Sequence, residues 1–392
     1  MVTLALTPPP PPPPAFGPPA IVAPAPREIS FGRIRGRVSS GTVRVSLRVD
    51  GVYKGHAHLA GRRFWKTLDL PGRDVSVRAI AIDGAGNRAR TTISPVYGLP
   101  RAARPHAVKS SLDRGLQRRV RALVDAFPGT TAVYVQDLRS GKGAAWNARA
   151  RFTAASTLKL GIAIEVLRVL RGKPAAGSRV GDLFQQMLVH SDNAAANELE
   201  VWLGGSTSTG GSMVTRTLHQ LGLVDSNMNG GYLIGTASGR PIPLRVNEQP
   251  FYFTNGKYTS AWDLARIHKL LHRGATGHGA LLDLPGRFGA ADARYLLWTL
   301  AHVQDPGKLD RYLDAPGISV LHKAGWISTV RHDSGLVYWN AGAFVAVVMT
   351  YRADGVGLSS DVLAGQIARV ALKHFSRAEG ERARHAGRLF FF

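Results

Sequence analysis

Phe152-Thr-Ala-Ala-Ser156-Thr-Leu-Lys159-Leu160 sets a serine and a lysine three residues apart at the head of an apolar run. Ile162, Ile164, Val166, Leu167, Val169 and Leu170 follow, interrupted by Glu165 and Arg168. A run of that length, apolar on most sides, predicts a buried helix. At this spacing Ser156 and Lys159 share a helix face. Burial disfavours an ammonium, so Lys159 is placed to act as a neutral base toward the Ser156 hydroxyl.

Ser-x-x-Lys is a short motif and recurs by chance. Two further triplets follow it in order. Ser191-Asp192-Asn193 stands in Met187-Leu-Val-His-Ser-Asp-Asn-Ala-Ala-Ala-Asn197, and Lys323-Ala324-Gly325 precedes Trp326. The order S-x-x-K, S-D-N, K-T-G is that of class A β-lactamases and penicillin-binding proteins. Residues 112–375 thus resemble the penicillin-recognising serine hydrolases, and the class A β-lactamase branch above all. The flanks Gly129-Thr-Thr-Ala-Val-Tyr-Val-Gln-Asp-Leu138 and Val330-Arg-His-Asp-Ser-Gly-Leu-Val-Tyr338 fit as well.

The resemblance implies an acyl-enzyme mechanism. Ser156 would attack the carbonyl, Lys159 would take its proton, and Ser191 would relay a proton to the departing nitrogen. Asn193 would hold the substrate's side-chain amide, and Lys323 its carboxylate. The oxyanion would sit between the backbone amides of Ser156 and Trp326. Ala324 and Gly325 would line the same strand, and Asn197 would brace the Ω loop. Ser191, Asp192 and Asn193 are also residue types that cap helices.

Two departures from the family pattern stand out. Ala324 replaces the usual threonine or serine, which removes one donor to the substrate carboxylate, about 1 kcal/mol for one hydrogen bond. The E-x-x-L-N motif, whose glutamate activates the deacylating water, has no counterpart. Glu248 is the one glutamate between Glu200 and Lys323 and is the candidate for that role.

A β-lactam or a peptidoglycan D-alanyl peptide satisfies the three motifs equally. The expected activity is β-lactam hydrolysis. The alternatives are a D-alanyl-D-alanine peptidase, a slow penicillin-binding enzyme, or a catalytically degenerate wall-binding protein. No metal or organic cofactor is expected. His56 and His58 lack a third ligand within reach, and His268 and His272 lack the glutamate of H-E-x-x-H.

With 392 residues the chain is long enough for two or three domains. It has no cysteine, hence no disulfide framework. The formal net charge is +24, which suits an anionic wall polymer as partner. The basic residues are scattered and carry no nucleic-acid motif, so no specific nucleic-acid partner is expected. No stretch approaches the roughly 18 apolar residues of a membrane span. Met1 to Leu6 lacks the basic start and the length of a signal peptide. The family resemblance nonetheless implies an extracellular or cell-envelope location.

The chain order predicts an α+β fold. A proline-rich segment, 1–27, should be disordered. Residues 28–98 read as a small all-β sandwich, similar to bacterial immunoglobulin-like modules. Val43, Val45, Leu47 and Val49 lie on one face of its first long strand. Residues 99–110 read as a linker. Residues 111–376 would form an antiparallel sheet flanked by helices, the β-lactamase/transpeptidase-like architecture. A basic, disordered tail would cover 377–392.

Overall fold

The computed structural model describes residues 16–232, 242–243, 252–253 and 256–389. Alternating apolar residues in the first hundred residues build two sheets. One holds β1 (Ala20–Ala23), β3 (Arg33–Arg37), β7 (Arg63–Thr67) and β6 (His58–Ala60), in the order β1-β3-β7-β6. The other runs β2-β9-β8-β4-β5, with β2 (Glu28–Ser30), β4 (Thr42–Val49), β5 (Val52–His56), β8 (Asp74–Asp83) and β9 (Arg88–Gly98). Their inner faces share a core of Ile34, Phe64, Val45, Leu47, Val77 and Ala79. Period-two patterning places these residues inward and their neighbours outward.

Val43 departs from the expected face. It is 61% exposed, whereas Val45 and Leu47 are fully buried. The β4–β8 register slips between Thr42 and Arg44, and one extra residue reverses the side that the strand's start presents. The proline-rich segment is also partly folded: Ala20–Ala23, expected to be disordered, pairs with β3.

The second part of the chain is layered. A six-stranded sheet runs β10-β12-β11-β19-β18-β17. Its strands are β10 (Ser111–Leu112), β11 (Thr130–Asp137), β12 (Lys142–Trp146), β17 (Ser319–Trp326), β18 (Val330–Trp339) and β19 (Gly342–Tyr351). All pairings are antiparallel except the short β10–β12 contact. Helices α1 (Arg114–Asp125) and α8 (Leu358–Leu389) cover one face through Leu116, Val120, Ile367 and Phe375. The other face carries α2 (Lys159–Leu170), α3 (Arg179–Val189), α4 (Asn193–Gly204), α5 (Thr207–Gln220), α6 (Ala261–Gly274) and α7 (Ala290–Leu300). Two short pairs complete the elements: β13 (Arg151–Thr153) with β16 (Tyr258–Ser260), and β14 (Ile242–Pro243) with β15 (Tyr252–Phe253).

Serine and aspartate set several helix starts. Asp113, Ser178, Asp192, Ser206 and Ser260 each accept an amide hydrogen bond from the first turn of the helix they precede. The closing helix runs to Leu389, across the position where a disordered tail was expected to begin. Its Ala, Arg and Glu content favours helix, and Glu379 is tied to Arg139 at 2.9 Å.

The two parts are packed together. Ile29, Phe31, Leu99 and Ala103 are buried in the same cluster as Leu271 and Tyr338. The stretch 99–110, read as a linker, therefore contributes core residues. Glu28, 1% exposed, accepts from Arg294 at 2.6 Å. Asp74 accepts from Trp298 Nε1 at 3.0 Å and pairs with His302 at 2.8 Å.

Candidate active site

Ser156 is presented by a 3₁₀ turn, Ala155–Leu158, and α2 starts only at Lys159. The expected shared helix face is thus a turn joined to a first helical residue. Ala155 enters the turn at φ +46°, a left-handed conformation costly for a residue with a Cβ. Thr157 Oγ1 closes the turn by donating to Ala154 O at 2.6 Å. Ala155, Thr157, Leu158 and Lys159 are buried, and Ser156 alone among them is partly open to solvent.

The platform beneath the turn is fixed by a histidine. His332 Nε2 donates to Thr153 O at 2.8 Å, while its Nδ1 accepts from Thr350 N at 3.2 Å. Burial lowers its pKa to about 4, so the ring is neutral and can fill both roles. It holds β13, and with it the serine turn, onto the central sheet.

Lys159 is fully buried. Its Nζ donates to Ser191 O at 2.5 Å and to Asn193 Oδ1 at 2.7 Å. Burial, helped by the positive charge of Lys323 and opposed by Asp192, lowers its pKa to about 7. A fraction of neutral amine is therefore present at neutral pH, as a general base requires.

Ser191 stands at φ +58°, between α3 and α4. Lys323 Nζ donates to its Oγ at 2.8 Å and to Ala324 O at 3.0 Å. The two lysines bracket Ser191, one on its carbonyl and one on its hydroxyl. Burial lowers the Lys323 pKa to about 8, with Asp305 and Asp333 opposing the shift. The helix-cap reading of this triplet also holds: Asp192 accepts from Ala195 N at 2.6 Å. One tripeptide starts α4 and aims two side chains into the site.

Lys323, Ala324, Gly325 and Trp326 end the edge strand β17. Gly325 lies flat against the serine turn. A Cβ there would meet Ser156 N at 2.6 Å and Thr157 N at 2.7 Å, so this approach needs glycine. The Ser156 amide and the Trp326 end of β17 therefore border one space. Ala324 is fully buried, and its carbonyl accepts from Lys323. Trp326 is 58% exposed at the rim.

Asn197 is a two-pronged brace. Its Nδ2 donates to Tyr232 O at 2.8 Å, and its Oδ1 accepts from Tyr232 N at 2.5 Å. The braced residue lays its ring 4.6 Å from Lys159 Nζ and 5.0 Å from Lys257 Nζ. Glu248 lies outside the described residues.

Several residues here had no sequence signal. Lys257 donates to Asn229 O at 2.8 Å and Gly231 O at 2.5 Å, and burial lowers its pKa to about 8. Glu200 is fully buried, has no hydrogen-bond partner on either oxygen among the described residues, and is raised by burial to about 8. Asp333, inside a quoted flank, accepts from His322 at 2.9 Å and from Leu309 N at 3.1 Å. No motif marks Tyr232, Lys257 or Glu200, because their positions follow from the loop path.

The histidine pairs are otherwise engaged. His56 bonds Tyr53 and His58 stacks on Trp65, in different sheets. His268 bonds Ser334 at 3.0 Å and His272 bonds Tyr338 at 2.9 Å. Among the described residues no group of three or more His, Cys, Asp or Glu could hold a metal ion.

Known structures share this fold. PBP-A aligns with a TM-score of 0.55 at 20% identity, covering 69% of this chain and 98% of its own. A PBP-A mutant in an acyl-enzyme complex with penicillin G aligns at 0.54 and 20% identity, covering 69% and 99%. A class A β-lactamase from Mycobacterium abscessus aligns at 0.51 and 18%, covering 67% and 99%. No curated protein matches the chain. The pattern of the β-lactamase enzyme family matches residues 115–176 and 170–375, a span that takes in all three motifs and the brace, and the chain belongs to that family.

Proposed function

We propose that the chain is a serine acyl-transfer hydrolase that β-lactams acylate at Ser156, and that it hydrolyses the β-lactam amide. The observation that carries this reading is the position of Ser191 between Lys159 and Lys323, beside the Ser156 turn. Neutral Lys159 accepts the Ser156 proton as Oγ bonds to the amide carbon. The developing oxyanion is held by the Ser156 and Trp326 amides. The C–N bond then breaks, and the Lys159 proton reaches the departing nitrogen through Ser191. Charged Lys323 supports Ser191 and pairs with the substrate carboxylate. Water then cleaves the ester, with Glu248 as the candidate base.

A specific observation favours a second reading, a slow penicillin-binding enzyme or D-alanyl-D-alanine peptidase. The segment braced by Asn197 offers Lys159 the ring of Tyr232. Among the described residues, Lys159 Nζ donates to a carbonyl and an amide oxygen rather than a carboxylate. Burial keeps the Tyr232 hydroxyl protonated, so it does not replace a carboxylate as base.

A chromogenic cephalosporin and a fluorescent penicillin test both readings. Turnover of the cephalosporin supports the hydrolase. A label that stays on Ser156 without turnover supports the second reading. Labelling that survives Ser156→Ala would overturn the site.

A further inference from the structure

The outward face of the β1-β3-β7-β6 sheet carries charge that the acyl-transfer chemistry does not use. On β3, Arg33, Arg35 and Arg37 point outward, alternating with buried Ile34 and Gly36. The register sets Arg37 opposite Arg63, Arg35 opposite Trp65 and Arg33 opposite Thr67. Directly opposed residues share a face, so Arg63 and Trp65 lie beside the arginine row of β3. His58, opposite Trp65, stacks on it at 5.8 Å and 19°.

Among the described residues, none of these four arginines is in an ion pair, and this face carries no acidic side chain. Residues 1–15 contain no aspartate or glutamate that could neutralise it. The row continues into a cleft of about 830 Å³ between the sandwich and the second part of the chain, which Arg33 lines together with Arg101 and Arg104. Among the described residues the one acid lining that cleft, Asp69, pairs with Arg101 at 3.7 Å.

We propose that this face binds a linear polyol-phosphate polymer, with its phosphodiesters along Arg33, Arg35 and Arg37. Alternate residues of a strand lie about 7 Å apart, so the row matches a chain with one anion per repeat of about that length. Arginine binds phosphate oxygens bidentately. Single-stranded nucleic acid has a similar charge spacing, but its binding uses aromatic platforms for successive bases. Here one tryptophan serves three arginines, and His58 stacks on it. A polymer without bases fits better.

The test uses the full chain and synthetic poly(glycerol phosphate), with binding read by calorimetry at several salt concentrations. Two triple variants are compared. Arg33→Ser, Arg35→Ser and Arg37→Ser removes the row. Arg44→Ser, Arg88→Ser and Arg90→Ser removes equal charge from exposed positions on the other sheet. The row variant should lose at least about tenfold in affinity, and its log–log salt slope should fall by about three; the matched control should lose under about threefold. Arg35→Glu alone should weaken binding in the same direction. Equal losses in both triples would overturn the proposal, leaving only diffuse net charge. So would absence of binding by the unaltered chain, or tighter binding of a single-stranded DNA of equal charge. Binding does not involve Ser156, so the result stands apart from the outcome of the penicillin-labelling test.

Discussion

In the proposed mechanism two lysines have opposite requirements. Lys159 must be neutral to accept a proton and titrates at about 7, whereas Lys323 must be charged to hold a carboxylate and titrates at about 8. Acylation by benzylpenicillin should therefore rise as pH passes about 7 and fall above about 8. A rate that is flat from pH 5 to 9 would contradict these roles. Lys159→Ala should slow acylation by at least about a hundredfold, the scale of a lost general base. Glu200 gives a residue-scale prediction about stability. Its folded pKa, about 8, exceeds the ordinary value of 4.5 because burial disfavours the charged carboxylate. Its contribution is thus full below 4.5 and is lost as pH rises through 8. Glu200→Gln removes that loss, and should raise the thermal midpoint at pH 8 more than at pH 5. The gain at pH 8 should be about 1–3 kcal/mol. An equal change at both pH values would show that the carboxylate does not titrate in this range.

Among the elements, the start of α4 does the most. Asp192 caps the helix through Ala195 N and also opposes the lowering of the Lys159 pKa. The two roles separate by substitution. Asp192→Asn keeps a capping oxygen but removes the charge, so the acid limb of the pH–rate profile should move to lower pH with little change in thermal midpoint. Asp192→Ala should also cost about 0.5–2 kcal/mol, the worth of an N-cap. If Asp192→Asn leaves the acid limb in place, Asp192 acts as a cap alone. The three motifs were legible at this scale because each is contiguous and its helix or strand is marked by local pattern. The face of Val43 was not legible, because a bulge depends on the partner strand. Local pattern does not mark the full length of α5, Thr207–Gln220, either. Its Gly210-Gly211 pair weakens the helical pattern, yet both are buried, and Gly210 lies against the backbone of Glu200. Tertiary contact outweighed propensity there.

Over the whole molecule, Ile29 and Phe31 of the first part are buried in a core of the second part, and the two parts should unfold together. Glu28 is buried between them, held by Arg294 and, at 3.8 Å, by Lys173. Removing one member of a buried pair leaves an uncompensated charge, so Glu28→Ala should cost about 3–5 kcal/mol. Calorimetry should show one transition for the intact chain; two well-separated transitions would mean that the interface is weak. The sequence alone specified the family to which the chain belongs. The proposed nucleophile, base, relay serine and carboxylate-binding lysine lie in short motifs, and the family resemblance implies their roles. The alternating runs likewise specified most strands. The fold alone brought Lys159 and Lys323 onto the two sides of Ser191, set Tyr232 against Lys159, and buried the Glu200 carboxylate. Those features depend on which distant segments meet and how completely they exclude water. Spacing along the chain encodes local geometry, whereas a pKa, a brace or a shared core arises from contacts between residues far apart in the chain.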